Sequence, residues 1–154
     1  MRFERHRTFT FLGLLISLLI LLVISFAASA EVGQKLFAEK KIVLQISDRD
    51  PLKQALVLNV ANNLLQHYGP DQIEVEIVAF ASGLRLLFKD NVNSDRIQSL
   101  TDNGVQFSAC ANTLRSMSRK LGETPALNPH AVMVSAGVLR IVELIDQGYV
   151  LVKP

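Results

Sequence analysis

The sequence predicts an α/β fold: a three-layer sandwich with a mainly parallel five-stranded sheet between helices. Five short apolar runs of strand length alternate with segments whose apolar residues recur every three or four positions. Such alternation is typical of successive β-α-β units, which place the strands in parallel and the helices on both faces of the sheet. A chain of 154 residues is long enough for one such domain.

Five apolar runs predict the strands of this sheet. The first run is apolar almost throughout, as in a strand that is covered on both faces. The third has apolar residues at every second position, which places them on one face. The predicted strands are Lys41 to Ile46, Ile73 to Phe80, Val105 to Cys110, Ala131 to Val134 and Tyr149 to Val152.

Helices are predicted between the strands, and an apolar turn at Leu84 to Phe88 precedes the second of them. Asp50 is a good N-cap for the first helix, and Gly69-Pro70 ends it. Ser94 is the expected N-cap of the second helix, and Asn112 or Thr113 that of the third. The predicted helices are Leu52 to His67, Asp95 to Asp102, the segment through Leu114 and Met117 to Leu121, and Val138 to Gln147.

The first 30 residues predict export from the cytoplasm. A basic stretch precedes an uncharged apolar run over residues 8–26, and Ala28-Ser29-Ala30 then matches the small-x-small pattern of a signal-peptidase site. We therefore interpret residues 1–30 as a signal peptide and residues 31–154 as the mature domain. The run also approaches the ~20 residues that span a bilayer, so an uncleaved inner-membrane anchor is the alternative. In both cases the domain is expected in the periplasm.

The charge of the chain gives no reason to expect nucleic acid as a partner. Of its 16 basic and 14 acidic side chains, three and one lie in residues 1–30, so residues 31–154 carry 13 of each. A nucleic-acid-binding domain normally has a basic excess. Phosphate-binding glycine motifs and metal-ligand spacings are absent from the sequence, so we expect neither a cofactor nor a metal.

Four loops follow the carboxyl ends of the predicted strands, where ligands bind to parallel sheets. All four are rich in small residues, which leave backbone N–H groups accessible. The residues of a possible crevice in three of them are Ser47, Asp48, Arg49, Ser82, Gly83, Ser135 and Gly137. For Asp48 and Arg49 in the first loop, helix capping and a solvated loop explain the charges as well as a binding site does.

Cys110, the single cysteine of the chain, begins the remaining loop and is the main candidate for chemistry. It lies between a strand end and a helix start, where backbone N–H groups and the helix dipole stabilise an anion. This placement predicts a lowered thiol pKa and a nucleophilic sulfur, with Ala111, Asn112 and Thr113 in support. The alternative is that Cys110 is a small buried hydrophobic residue, as many free cysteines are.

The order and spacing of four segments resemble the DsrE/DsrF-like family, in its branch of small, mostly uncharacterised proteins. The matching segments are Lys41–Ile46 with Asp50-Pro51, Leu58–Leu64, Val105–Leu114 and Gly137–Pro154. The resemblance implies a flavodoxin-like parallel sandwich that is often oligomeric. It also implies that a cysteine accepts sulfur as a persulfide and passes it to a partner protein. Cys110 matches the position of that cysteine. Characterised relay members act in the cytoplasm, whereas this chain is predicted to be exported. Delivery of sulfur to tRNA is therefore not expected here.

Two functions follow as hypotheses. The first is an exported, thiol-dependent sulfur carrier or sulfur-transfer accessory that acts through Cys110 and is at most sulfurtransferase-like as an enzyme. Its partner would be a protein that donates or accepts sulfur. The second is a non-enzymatic oligomeric module that binds a small anion or a partner protein. A homo-oligomer is expected, since the apolar runs and the helix-borne Asn59, Asn62 and Asn63 suggest surface that one domain does not bury.

Overall fold

The structure is a computed structural model that describes residues 38–154. The predicted signal peptide over residues 1–30 and the first residues of the mature chain lie outside the described residues. Within the described part of the chain, none of the helices combines the length and apolar character needed to cross a membrane.

Strands and helices alternate along residues 38–154, as the sequence predicts. The strands are β1 Lys40–Ile46, β2 Ile73–Ala79, β3 Val105–Cys110, β4 Ala131–Val134 and β5 Val150–Val152. The helices are α1 Pro51–Tyr68, α2 Ser94–Asp102, α3 Ala111–Leu121 and α4 Gly137–Asp146, with a 3-10 helix at Ala81–Leu87. The α/β class is therefore confirmed, and the predicted elements differ from the observed ones only at their ends.

The strands form one five-stranded sheet in the order β4-β3-β2-β1-β5. Every neighbouring pair is parallel, which confirms the predicted parallel sheet. The chain steps in one direction from β1 to β4 and then returns to the other side of β1. Because β-α-β crossovers are right-handed, this reversal places α4 on the opposite face of the sheet from the earlier helices.

Two hydrophobic clusters fill the space on the two faces. The larger one joins the sheet to α1, the 3-10 helix and α2, with Leu114 and Met117 of α3 packed against it. The smaller one consists of Val43 and Val78 from the sheet with Ile141 and Leu144 from α4. The described residues thus form three layers, and α4 is the helix that covers the second face.

The N-cap of α1 is the residue that the sequence predicts, whereas the N-cap of α2 is a different residue. The Asp50 carboxylate accepts a hydrogen bond of 2.9 Å from the Leu52 amide, and Pro51 is the first helical residue. At α2 the N-cap is Asn93, so the prediction that Ser94 is the cap is wrong. The Ser94 hydroxyl instead donates to the carbonyl of Asn91, at 2.8 Å, which fixes the turn that leads into the helix.

A buried polar cluster lies on the face covered by α4. Glu76 is 1% exposed and accepts two hydrogen bonds from the Arg140 guanidinium, of 2.8 and 2.7 Å. The Ser108 hydroxyl donates to the same carboxylate at 2.5 Å. Beside it, Glu74 accepts from the Tyr149 hydroxyl at 2.5 Å. The paired charges connect α4 to the centre of the sheet, a contact that the alternation of β2 alone did not predict.

Candidate functional site

Cys110 is both the last residue of β3 and the N-cap of α3. The helix begins at Ala111, and the Thr113 amide donates to the Cys110 sulfur at 3.4 Å. The prediction that Asn112 or Thr113 caps this helix is therefore wrong. The strand runs directly into the helix without a loop, so the sulfur takes the position that a capping oxygen normally occupies.

Hydrogen-bond donors surround this sulfur and change its acidity. Burial has the largest single effect and raises the pKa of the Cys110 thiol. The Thr113 hydroxyl and amide, with the amides of Gly137 and Asn112, together outweigh burial and hold the pKa below its ordinary value. The site thus favours a thiolate through hydrogen bonds from neutral groups.

The Cys110 side chain is nevertheless 4% exposed. It lies beside Val134 of β4, and its helix start is joined to the loop after β4 by a hydrogen bond of 3.3 Å from the Asn112 amide to the Ser135 carbonyl. The thiol is thus buried and its pKa is lowered, and both sequence interpretations of this cysteine stay predictions.

Gly137 belongs to the surroundings of the sulfur because it has no side chain. A Cβ atom at this position would lie 2.9 Å from the ring of Phe80. Because glycine has no Cβ atom, the start of α4 can approach the end of β2. This approach brings the Gly137 amide near Cys110. Of the predicted crevice residues, Gly137 is thus the one whose amide helps to lower the pKa of the thiol.

The loops after β1 and β2 are held together by three other predicted crevice residues. The Ser82 hydroxyl donates to the Ser47 carbonyl at 3.1 Å. A Cβ atom on Gly83 would lie 2.4 Å from the carbonyl oxygen of Ile46, so no side chain fits there. These residues close the end of the sheet, which is a structural role.

Asp48 also has a structural role in this loop. Its carboxylate accepts from the Lys53 ammonium group at 2.8 Å and from the Asp50 amide at 3.0 Å. The hydrogen bond from Lys53 is the main cause of a lowered pKa at Asp48. The carboxylate is thereby occupied at the start of α1.

A cavity of about 390 Å³ lies between the 3-10 helix and α3. It contains three of the residues singled out from the sequence, Arg49, Ser82 and Thr113. Thr113 connects it to the thiol, because its amide donates to the Cys110 sulfur while its hydroxyl oxygen accepts from the Ala81 amide at 3.0 Å. The remaining lining residues are Ala81, Arg85, Ser116, Met117, Lys120 and Leu121.

Comparisons with known proteins support the fold. No family model and no curated protein matches the chain. Among solved structures, a protein of unknown function, MTH1491 from Methanobacterium thermoautotrophicum, is similar with a TM-score of 0.68 and 29% sequence identity. The match covers 75% of this chain and 100% of that chain. It supports the compact α/β fold and says nothing about activity, and the resemblance to the DsrE/DsrF-like family stays a prediction.

Sequence reasoning missed Arg85 and Lys120, which complete the cationic lining of the cavity. One signal was present in α3, since Thr113, Ser116 and Lys120 are spaced by three and four residues and share a helix face. No comparable signal marks Arg85, because the 3-10 helix that presents it was recognised only as an apolar turn.

Proposed function

We propose that this protein is an exported, thiol-dependent sulfur carrier or sulfur-transfer accessory in which Cys110 takes up sulfane sulfur as a persulfide. The observation that supports the proposal is the hydrogen-bonded sulfur at the start of an 11-residue helix, where the pKa of the thiol is lowered. A thiolate, and not a thiol, is the nucleophile in attack on sulfur. The arrangement therefore favours the reactive species.

The proposed reaction needs no oxidant. The Cys110 thiolate attacks the outer sulfur of a donor persulfide, and a new S–S bond forms at Cys110. The S–S bond of the donor breaks, and the donor leaves as a thiolate with the electron pair of that bond. The departing thiolate takes the proton of the outer sulfur, which leaves the terminal sulfur on Cys110 as an anion at the start of α3, where backbone N–H groups favour negative charge. Transfer to an acceptor thiolate follows the same steps.

Burial of the thiol adds a requirement to this reaction. Because Cys110 is 4% exposed, a donor reaches the sulfur only when the surrounding segments open locally. Asn112 and Ser135 are exposed and are joined by a backbone hydrogen bond of 3.3 Å, and we propose that the opening occurs between them. We expect sulfur uptake to be slower than for a thiol in solution, and the persulfide to be shielded from bulk water.

Uptake from polysulfide tests the proposal. The purified protein is incubated with polysulfide, and its intact mass is measured before and after treatment with a reducing thiol. A gain of one sulfur atom that the thiol removes is expected in the wild-type protein and not in Cys110→Ser. The carrier proposal fails if the wild-type protein gains no sulfur under conditions in which an unfolded sample does.

A second candidate function, an oligomeric binding or assembly module, is favoured by a different observation. Apolar side chains on the outer side of α4 are exposed, although this helix is the cover of one sheet face. They are Val138, Leu139, Val142 and Ile145. Of the asparagines on α1, Asn59 accepts a hydrogen bond from Arg96 within the chain, at 2.6 Å. Because Asn59 already has a partner within the chain, the exposed apolar face of α4 gives a stronger argument for a homo-oligomer than Asn59 does.

The compartment is part of the proposal. We place the protein in the periplasm, either released after cleavage before Glu31 or anchored in the inner membrane through residues 8–26. The sulfur donor and acceptor would then be proteins or small molecules of that compartment.

A further inference from the structure

We propose that the cavity between the 3-10 helix and α3 binds a small organic anion with at least two negative charges, of the polycarboxylate or phosphate-ester type. The inference gives a site and a ligand class to the binding half of the second candidate function, on which it rests. It does not depend on sulfur transfer by Cys110.

Three cationic side chains line the cavity without an opposing carboxylate. Arg49, Arg85 and Lys120 come from the loop after β1, from the 3-10 helix and from the last turn of α3. In the part of the chain that the structure describes, the ion pairs involve other cations, namely Lys41, Lys53 and Arg140. The cavity is thus a concave surface with unneutralised positive charge, which attracts anions.

The acidic residues next to Arg49 in the sequence do not neutralise this charge. Asp48 accepts hydrogen bonds from Lys53 and from a backbone amide, at 2.8 and 3.0 Å. Asp50 caps α1 through the Leu52 amide at 2.9 Å. Both carboxylates are therefore engaged at the start of α1, and neither lines the cavity.

Neutral groups in the lining add donors and an apolar wall. The hydroxyl of Ser116 makes no hydrogen bond with another described residue and is available to a ligand. Met117 and Leu121 from α3 form an apolar side. An inorganic ion would use the cations but would leave this wall without a partner, so the lining favours an organic molecule.

The size of the cavity and the geometry of the cations further restrict the kind of ligand that fits. About 390 Å³ lies at the lower end of the range of small-molecule sites, roughly 300–1,000 Å³. Each arginine presents a planar fork that matches a carboxylate or a phosphate with two hydrogen bonds. Three cations on separate elements fit a ligand whose charges are separated by a short carbon framework.

Calorimetric titration of the full-length protein with citrate, with glycerol 2-phosphate and with inorganic phosphate tests this inference. The comparison of citrate with glycerol 2-phosphate identifies carboxylate or phosphate as the preferred group. We expect one of these two organic anions to bind more tightly than inorganic phosphate. We expect Lys120→Gln and Arg85→Gln each to weaken that binding about tenfold or more.

Arg119→Gln is the matched control, because Arg119 is an exposed neighbour of Lys120 on α3 that does not line the cavity. We expect Arg119→Gln to bind the anion as the wild-type protein does. Absence of binding by both organic anions at millimolar concentration would overturn the inference. Equal losses in Arg119→Gln and Lys120→Gln would also overturn it, since they would indicate nonspecific attraction. Neither result would affect sulfur uptake by Cys110.

Discussion

At the scale of single residues, the placement of Cys110 at a strand-to-helix junction was predictable, and its surroundings were not. The junction follows from local patterns, the alternation in β3 and the apolar spacing in α3. The donor from Gly137 comes from an element 27 residues further along the chain, so only the folded chain brings it to the sulfur. The burial of the thiol likewise depends on packing between distant segments.

Thr113→Val is expected to raise the pKa of the Cys110 thiol. The valine side chain removes a hydroxyl whose hydrogen bond lowers this pKa. The measurement is the rate of alkylation of the native protein between pH 5 and pH 10. Ser116→Ala is the control, since its hydroxyl lies one turn along α3 in the cavity lining. Identical pH profiles for Thr113→Val and the wild-type protein would contradict this account.

The pairing of Arg140 with Glu76 is a second feature that the sequence did not predict. The two residues are 64 positions apart, and β2 by itself shows only that glutamates alternate with apolar residues. The Glu76 carboxylate raises the pKa of Arg140, which keeps the guanidinium charged. A buried carboxylate at this position requires its partner.

Arg140→Met is expected to lower the free energy of unfolding by about 3–5 kcal/mol, because it leaves the Glu76 charge buried and unpaired. Urea unfolding at pH 7 measures the change. The double variant Glu76→Gln with Arg140→Met should recover part of the loss. Glu143→Gln is the control: Glu143 is the exposed partner of Arg140, and its loss should cost less than about 1 kcal/mol. Equal effects of Arg140→Met and Glu143→Gln would refute the structural role of the buried pair.

At the scale of elements, strands and helices were predictable because their signals are local. Asp50 and Pro51 mark the start of α1, and Gly69, with φ 83°, marks its end. The start of α2 was misplaced by one residue, because Ser94 is a good capping residue whose hydroxyl is used in the preceding turn. The sequence did not show which apolar residues of α4 face outward, because this depends on which residues of the helix pack against the sheet.

Self-association through α4 is expected at this scale. Val142 is 50% exposed and Leu139 57% exposed, so Val142→Glu and Leu139→Glu should keep the fold and disrupt a dimer or trimer. Light scattering at tens of micromolar protein measures the molecular mass. Leu56→Glu is the matched control, since this residue is 44% exposed on α1, on the other side of the sheet. A wild-type monomer, or an equal loss in Leu56→Glu, would count against the α4 interface.

At the scale of the whole molecule, the fold class and the parallel pairing followed from the alternation of strands and helices. The strand order did not, because no local pattern shows that β5 pairs with β1 and not with β4. Among the helices of residues 38–154, that pairing puts only α4 on the second face, and it determines both the exposed apolar surface and the approach of Gly137 to Cys110. The features on which both proposed functions depend thus arise from the topology.

The central claim, that Cys110 carries sulfur, is tested most directly by the intact mass of the protein isolated from its native compartment without a reducing agent. We predict a fraction of molecules that begin at Glu31 and carry the mass of one additional sulfur atom on Cys110, which a reducing thiol removes. Peptide mapping locates the modification, and the Cys110→Ser protein isolated in parallel is the blank. A single unmodified mass before and after reduction would contradict the claim and leave Cys110 as a packing residue.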